Sequence, residues 1–383
     1  MQESLFKENI KHTNMINIYD PYLTKSSRKY LIDAYDSTWI SSQGEYKNKS
    51  EKLISKLLGV DKEKLFLCSN GTAATHLCAI ALRYKFPNIK RILVPNNVYV
   101  AAWNAFIMNP VFELVPIKTD ISTWNIDMND LKNKIKKDDA VLIVHNVGNV
   151  INVPKLKRLY PKNIFIEDNC EGLFGKYENK PTGTASFCSS FSFFGNKSIT
   201  SGEGGLFFCN DIETLRYVKK VHGQGMSQKR YVHDVLGYNY RMTNLQAAIL
   251  LGQLEDHKEI LEKKSLIWER YTNNLKNEKN ILLQKSDNDT ESAKWLYSCR
   301  IVKKDFKSIN DFMTSENIEI RPMFYPMSTH NHLKKYANIR EETTAKIINK
   351  ECLMLPSHPK IPLDTIDFIS EKLIKHSREK NEH

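Results

Sequence analysis

Three short segments carry side chains that could do chemistry together. The segment SSFSFFGNKSITSGEGG (189–205) sets Lys197 in a loop rich in Gly, Ser and Thr. Gly195 before it, and Gly202, Gly204 and Gly205 after it, let backbone approach another group closely. A lysine held in a partly desolvated loop binds its proton less tightly and can form Schiff bases. A surface lysine snorkelling out to water is the plainer reading of the same residue. Upstream, IEDNCEG (166–172) puts Asp168 at the carboxyl end of an apolar run, where open α/β sheets bind their ligands. There it reads either as a helix N-cap or as a carboxylate that keeps a pyridine nitrogen protonated. Farther upstream, Ser69-Asn70-Gly71-Thr72 opens a helical stretch directly after LFLC. It is an ordinary capped helix start, or a phosphate site made of unpaired N–H groups and the positive end of the dipole. No G-x-x-x-x-G-K-[ST] occurs, so it is not a Walker P-loop. A phosphate anchor, a pyridine partner and a Schiff-base lysine are together what pyridoxal 5′-phosphate requires of a protein.

The elements that must position these residues follow from hydrophobic patterning. RILVP (91–95), ELVPI (113–117), AVLIVH (140–145), NIFIE (163–167) and GLFFC (205–209) are nearly continuous apolar runs, as strands covered on both faces are. Helical stretches such as Ala73 to Tyr84 lie between them, with Ala73, Leu77, Ile80 and Ala81 on one stripe. This alternation predicts an α/β fold with a largely parallel sheet. From about residue 243 a 3.6-residue period predicts one long helix through TNLQAAILLGQLEDHKEILEKKSLIWERYTNNL. A smaller α+β stretch follows: a strand near LYSCRIV, a helix near DFKSINDFMTSE and a last helix from about Leu363. We expect a large domain over 1–256 and a small C-terminal domain over 257–383.

Composition narrows the class. With 383 residues, 41% hydrophobic and 26% charged, the chain is globular and long enough for two domains. No apolar run reaches the ~20 residues needed to span a bilayer, and MQESLFKENIKHTN is charged where a secretory leader would be apolar, so a cytoplasmic protein is expected. The seven cysteines are scattered without a C-x-x-C pair, which reads as reduced core thiols and no metal site. A net charge of +12 would suit an anionic partner, but no dense basic run appears, and no nucleic acid is expected.

Nearly the whole chain, from about Ile16 to Ile374, resembles the DegT/DnrJ/EryC1/StrS sugar aminotransferases, fold-type I pyridoxal phosphate enzymes that act on nucleotide-linked keto sugars. The resemblance is carried in order by DSTWISSQGEY, SNGTAA, VPNNVYVAAWNA, IEDNCEG, FSFFGNKSITSGEGG, GQGMSQKRYVHDVLGYNYRMTNLQAA and IEIRPMFYP. It looks most like the C4-aminating, perosamine- and viosamine-type branch. It implies a mostly parallel mixed sheet sandwiched by helices, with the small domain appended. It implies that Lys197 bonds the cofactor, Asp168 pairs with the pyridinium nitrogen and Tyr99 stacks on the ring. Gly71, Thr72 and Ser192 would hold the phosphate, and Asn239 would reach it from the partner subunit of a homodimer. L-glutamate would be the donor and a nucleotide-diphosphate 4-keto-6-deoxy sugar the acceptor, with the nucleotide (GDP, UDP or dTDP) open. Three positions depart from the pattern. Glu171, counted with the cofactor site, stands where Gln or His is common. His145-Asn146-Val147-Gly148 lacks the tyrosine of His-x-Tyr-Gly. Ser328 replaces an expected histidine, leaving Arg321 and His330 as the substrate-side candidates. A 3-keto sugar aminotransferase, a dehydratase and a non-catalytic nucleic-acid-binding relative are the rival readings. Dehydratase relatives carry His in place of the lysine, so Lys197 argues against that rival.

Overall fold

The computed structural model describes residues 14–379, so all of the charged N-terminal segment except Asn14 lies outside the described residues. Its centre is a seven-stranded sheet. From edge to edge the strands are Leu65–Cys68, Gly205–Cys209, Cys188–Ser192, Ile164–Asp168, Ala140–Val144, Arg91–Pro95 and Glu113–Ile117. Only Gly205–Cys209 runs antiparallel to its neighbours. The expected mixed, mostly parallel sheet is therefore present.

The apolar runs are continuous because successive residues face two different cores. Phe66, Val94, Leu142, Ile166 and Phe207 pack under the helices Gly71–Lys85, Ala101–Ile107 and Ile212–His222. Their neighbours Leu65, Leu67, Phe191, Leu206 and Phe208 face Glu45–Leu58 and Asn244–Glu255, and Leu93, Val141, Ile143 and Phe165 continue that face. Each such side chain contributes roughly 1.5–3 kcal/mol when taken fully out of water. Parallel strands aligned in this way deliver all their carboxyl ends to one edge, and the loops that leave that edge carry Asn70–Thr72, Tyr99, His145–Gly148, Cys170–Glu171 and Phe193–Gly204.

A second, four-stranded antiparallel sheet joins Ile281–Leu283, Ser298–Ile301, Cys352–Met354 and Arg321–Pro322. Helices His257–Leu275, Phe306–Ser315 and Leu363–Arg378 share its core, which also takes in Ile16 from the start of the described chain. Ile18, Trp124, Val147, Trp295, Leu296, Met323 and Met354 pack between the two bodies. The single long helix expected from residue 243 is two helices, Asn244–Glu255 and His257–Leu275. They break at Asp256, whose φ of −90° and ψ of 12° leave the helical region. The ring of His257 sits 2.7 Å from the Leu254 carbonyl and supplies a side-chain donor there. The apolar period continues across the break, which hid it.

Beneath the sheet's ligand edge lies a buried pair, His145 and Glu167. The Ile151 N–H donates to His145 Nδ1 (3.1 Å), so the ring's proton sits on Nε2, which donates to Glu167 Oε2 at 3.0 Å. Gly183 and Ser186 N–H groups also donate to this carboxylate. Burial works against its charge, but the His145 contact and these donors hold it below the usual carboxylate range. A glutamine there would turn its own N–H group towards a donor. We predict that Glu167→Gln lowers unfolding free energy at pH 7 by about 3 kcal/mol in urea melts. A loss under about 0.5 kcal/mol would show that the pair holds little.

Candidate active site

The phosphate-side residues are brought together by strand register. Cys68 pairs with Gly205, and Gly205 with Ser192, across three adjacent strands. Backbone then crosses backbone. A Cβ on Gly205 would lie 2.3 Å from the Asn70 carbonyl oxygen, and one on Gly71 would lie 2.8 Å from Ser192 Cβ. Only glycine fits at either place. Asn70 caps the helix by accepting the Ala73 N–H at 2.8 Å. Among the described residues the amides of Gly71 and Thr72 have no acceptor. Thr72 is exposed, whereas Gly71 and Ser192 are buried. The result is a group of free N–H groups and a hydroxyl at a positive helix end, which suits a phosphate.

Asp168 ends its strand as expected and is buried, 6% exposed. Its Oδ1 accepts the Cys170 N–H at 3.1 Å, and no cation pairs with it among the described residues. Lys197 sits in a tight loop: its own N–H donates to the Phe194 carbonyl, and Phe193 and Gly204 close the loop behind it. Its ammonium makes no ion pair among the described residues and lies 3.9 Å from the centre of the Trp295 ring. A buried carboxylate without a cation and an amine without an anion, flanking a phosphate cradle, fit pyridoxal phosphate in charge and in donor set. Asp168 would face the ring nitrogen, Lys197 the aldehyde carbon, and Gly71, Thr72 and Ser192 the phosphate.

The remaining expected residues are placed less centrally. Tyr99 is 59% exposed, its ring 5.9 Å from that of Phe324. Asn239 is exposed and accepts from Arg241 Nε at 3.0 Å, while the next residue's carbonyl accepts the Ser69 N–H. Arg321 pairs with Glu319 at 3.3 Å and lies over the Tyr19 ring, which itself borders Gly195. His330 packs edge-on to Trp103 and near His332, and these contacts do not bring it to Lys197. Trp295 was not among the expected residues. It arrives from the C-terminal body just before a strand, and nothing local to AKWLYSCRI marks it as a site residue.

Glu171 is buried, and its Oε2 accepts the Val147 N–H at 2.8 Å. Val147 has φ 57° and ψ 25°, a left-handed conformation unfavourable for a β-branched residue, and this hydrogen bond helps hold it there. Burial pushes the Glu171 carboxyl up to about 7; the Lys197 charge and the Val147 N–H pull the other way, and Asp168 adds to the rise. A proton retained in the folded state but released on unfolding makes stability fall as pH rises from the carboxyl's ordinary 4.5 through about 7. Glu171→Gln keeps the acceptor and removes the titration. In paired urea melts the variant is expected to gain on the unaltered protein by roughly 2 kcal/mol between pH 5 and 7.5. A difference independent of pH would contradict this assignment.

A family model for the DegT/DnrJ/EryC1/StrS aminotransferase family matches residues 21–374. The chain is 34% identical to a GDP-perosamine synthase of Escherichia coli O157:H7, over 94% of its own length and 97% of the relative's. It is 35% identical to a GDP-perosamine synthase of Vibrio cholerae, over 93% and 97%. Among solved structures, an E. coli GDP-4-keto-6-deoxy-D-mannose-3-dehydratase with bound hydrated PLP has a TM-score of 0.86 at 23% identity, covering 94% of this chain and 100% of that one. That likeness is one of fold. With a family match that spans most of its length, and two relatives of 34% and 35% identity covered almost end to end, the chain belongs to the DegT/DnrJ/EryC1/StrS aminotransferases.

Proposed function

We propose that this protein moves an amino group from L-glutamate to C4 of a GDP-linked 4-keto-6-deoxyhexose, giving a perosamine-type 4-amino-4,6-dideoxy sugar nucleotide for glycan synthesis. The observation that carries this reading is the conjunction of Lys197, Asp168 and the Gly71–Ser192 cradle in a chain 34% and 35% identical to two GDP-perosamine synthases over nearly its full length. The rival C3-aminating reading differs only in the regiochemistry of the product. The dehydratase reading is disfavoured by a lysine at position 197.

The cofactor is pyridoxal phosphate, which when bound supplies an electron sink for the carbanion formed at the donor's α-carbon. The chain's own residues do the rest. Gly71 and Thr72 N–H groups and Ser192 Oγ bind the phosphate and fix the position of the ring. Asp168, buried and without a competing cation, holds a proton on the pyridine nitrogen. Lys197 Nζ, once released, takes the proton from the donor's α-carbon and returns it on the other side of the same shift. Tyr99 covers the ring, and Arg321, next to Tyr19 at the edge of the chamber, is the substrate-side cation. The net positive charge draws in the diphosphate.

We place this site in a cytoplasmic homodimer. Trp39, Ile40, Tyr231 and Leu236 are 59%, 49%, 73% and 83% exposed, which a second copy of the chain would cover. Asn239, exposed and bonded to Arg241, would serve the partner's site. Residues 1–256 would form the cofactor domain and 257–383 the small domain, a division supported by the helix break at Asp256. Among the described residues no helix is long and apolar enough to cross a membrane.

Three experiments test the proposal. Incubation with glutamate, pyridoxal phosphate and GDP-, UDP- and dTDP-linked 4-keto-6-deoxyhexoses should yield a 4-amino product from the GDP sugar, identified by mass and NMR. Lys197→Ala should lower turnover by at least 10³-fold. Amination at C3, or turnover by the alanine variant, would overturn the assignment. Mixing inactive Lys197→Ala and Asn239→Ala chains should restore activity, because one site of each hybrid dimer then has both residues intact. No recovery after verified subunit exchange would mean that Asn239 acts within its own chain.

A further inference from the structure

Trp295 is fixed at its ring and at both ends of its backbone. Its Nε1–H donates to the carbonyl of Asn196, the residue before Lys197, at 3.0 Å. Its backbone nitrogen lies against Gly148, where a Cβ would sit only 3.1 Å away, while the Ala293 N–H donates to the Gly148 carbonyl. Its own carbonyl accepts from Lys264 Nζ at 2.7 Å. Lys264 is itself out of place as a structural lysine. It is 3% exposed, makes no ion pair among the described residues, and spends its donors on two carbonyls, those of Trp295 and Ser357. Burial pulls its ammonium down to about 7. It also lies over the Trp268 ring at 5.3 Å, but its shortest hydrogen bond goes to Trp295. The tryptophan it anchors, 5% exposed, carries the Lys197 ammonium 3.9 Å from its ring centre, well inside cation–π range.

We propose that Trp295 is a positioning residue for Lys197, its ring being the seat on which the lysine's side chain rests between its covalent and proton-transfer steps, and that Lys264 holds this seat in place through the Trp295 carbonyl. The seat keeps a long, flexible side chain in the chamber during the part of the cycle when it is free, and keeps it from pairing with Asp168 or Glu171. Its consequence for turnover rests on the aminotransferase reading; the contact itself does not.

The test labels the protein, freed of cofactor, with pyridoxal, reduces with borohydride, and measures modification of Lys197 at pH 7 by peptide mass spectrometry. An amine resting against the ring must leave that face before it can attack an aldehyde. Trp295→Leu should therefore raise the labelling rate about tenfold, a factor equal to roughly 1.4 kcal/mol. Trp295→Phe, which keeps a π face, should stay within about threefold of the unaltered protein. In steady-state assays Trp295→Leu should lower kcat with KM for glutamate little changed. Lys264→Met should move labelling in the same direction as Trp295→Leu. Equal labelling of the Leu and Phe variants, each shown by its urea midpoint to be folded, would overturn the seat. Unaltered labelling in Lys264→Met would overturn the anchor. A chain that transaminates normally yet labels identically in all variants would refute this inference alone. A chain that never transaminates would refute the functional reading and leave the comparison of labelling rates standing.

Discussion

An amine and a carboxylate enclosed in the same weakly polar chamber attract each other strongly, and a site that needs both must keep them from neutralising one another. Lys197 and Asp168 meet that constraint. Each belongs to a different strand end, each has a local partner that satisfies it in part, and neither is paired with the other. The Cys170 N–H steadies the acid and the Trp295 ring receives the amine. Both are left free for a ligand that brings a ring nitrogen and an electrophilic carbon.

The sheet makes this separation possible. Parallel strands of equal reach deliver loops to a common edge, and register decides which residues lie side by side there. Gly205 and Gly71 allow the end of the lysine loop and the phosphate loop to cross at backbone contact, and the buried Glu171 feels the charges of both Lys197 and Asp168. The buried His145–Glu167 pair lies just below and ties the loop after Val144 to the strand that ends in Asp168. That loop, through Val147 and Gly148, also touches Glu171 and the segment carrying Trp295. The surroundings of Lys197 thus come from both bodies of the protein, although Lys197, Asp168 and Glu171 all belong to one.

Much of this was legible in the sequence, and the exceptions have physical causes. Strands faced by two cores are apolar throughout, so RILVP, ELVPI and GLFFC could be read directly. Cys188–Ser192 is just as buried but hides behind its serines, which are tolerated because Ser189 donates to the Gly183 carbonyl and Ser190 accepts from Thr75. Asp168, Lys197 and Gly71 announce themselves by local pattern: a strand end, a glycine-rich loop and a helix start. Trp295 and Lys264 do not, because their role exists only after the C-terminal body folds against the sheet. The break at Asp256 was invisible because a bend between two helices need not interrupt the apolar period.

The most direct measurement is the site of attachment of the cofactor. The protein is loaded with pyridoxal phosphate, reduced with borohydride, digested and mapped by mass spectrometry, with an Asp168→Asn variant alongside. A single phosphopyridoxyl group on Lys197, with occupancy sharply reduced in the variant, is the predicted result. Modification spread over other lysines, or full occupancy without the Asp168 carboxylate, would contradict the account.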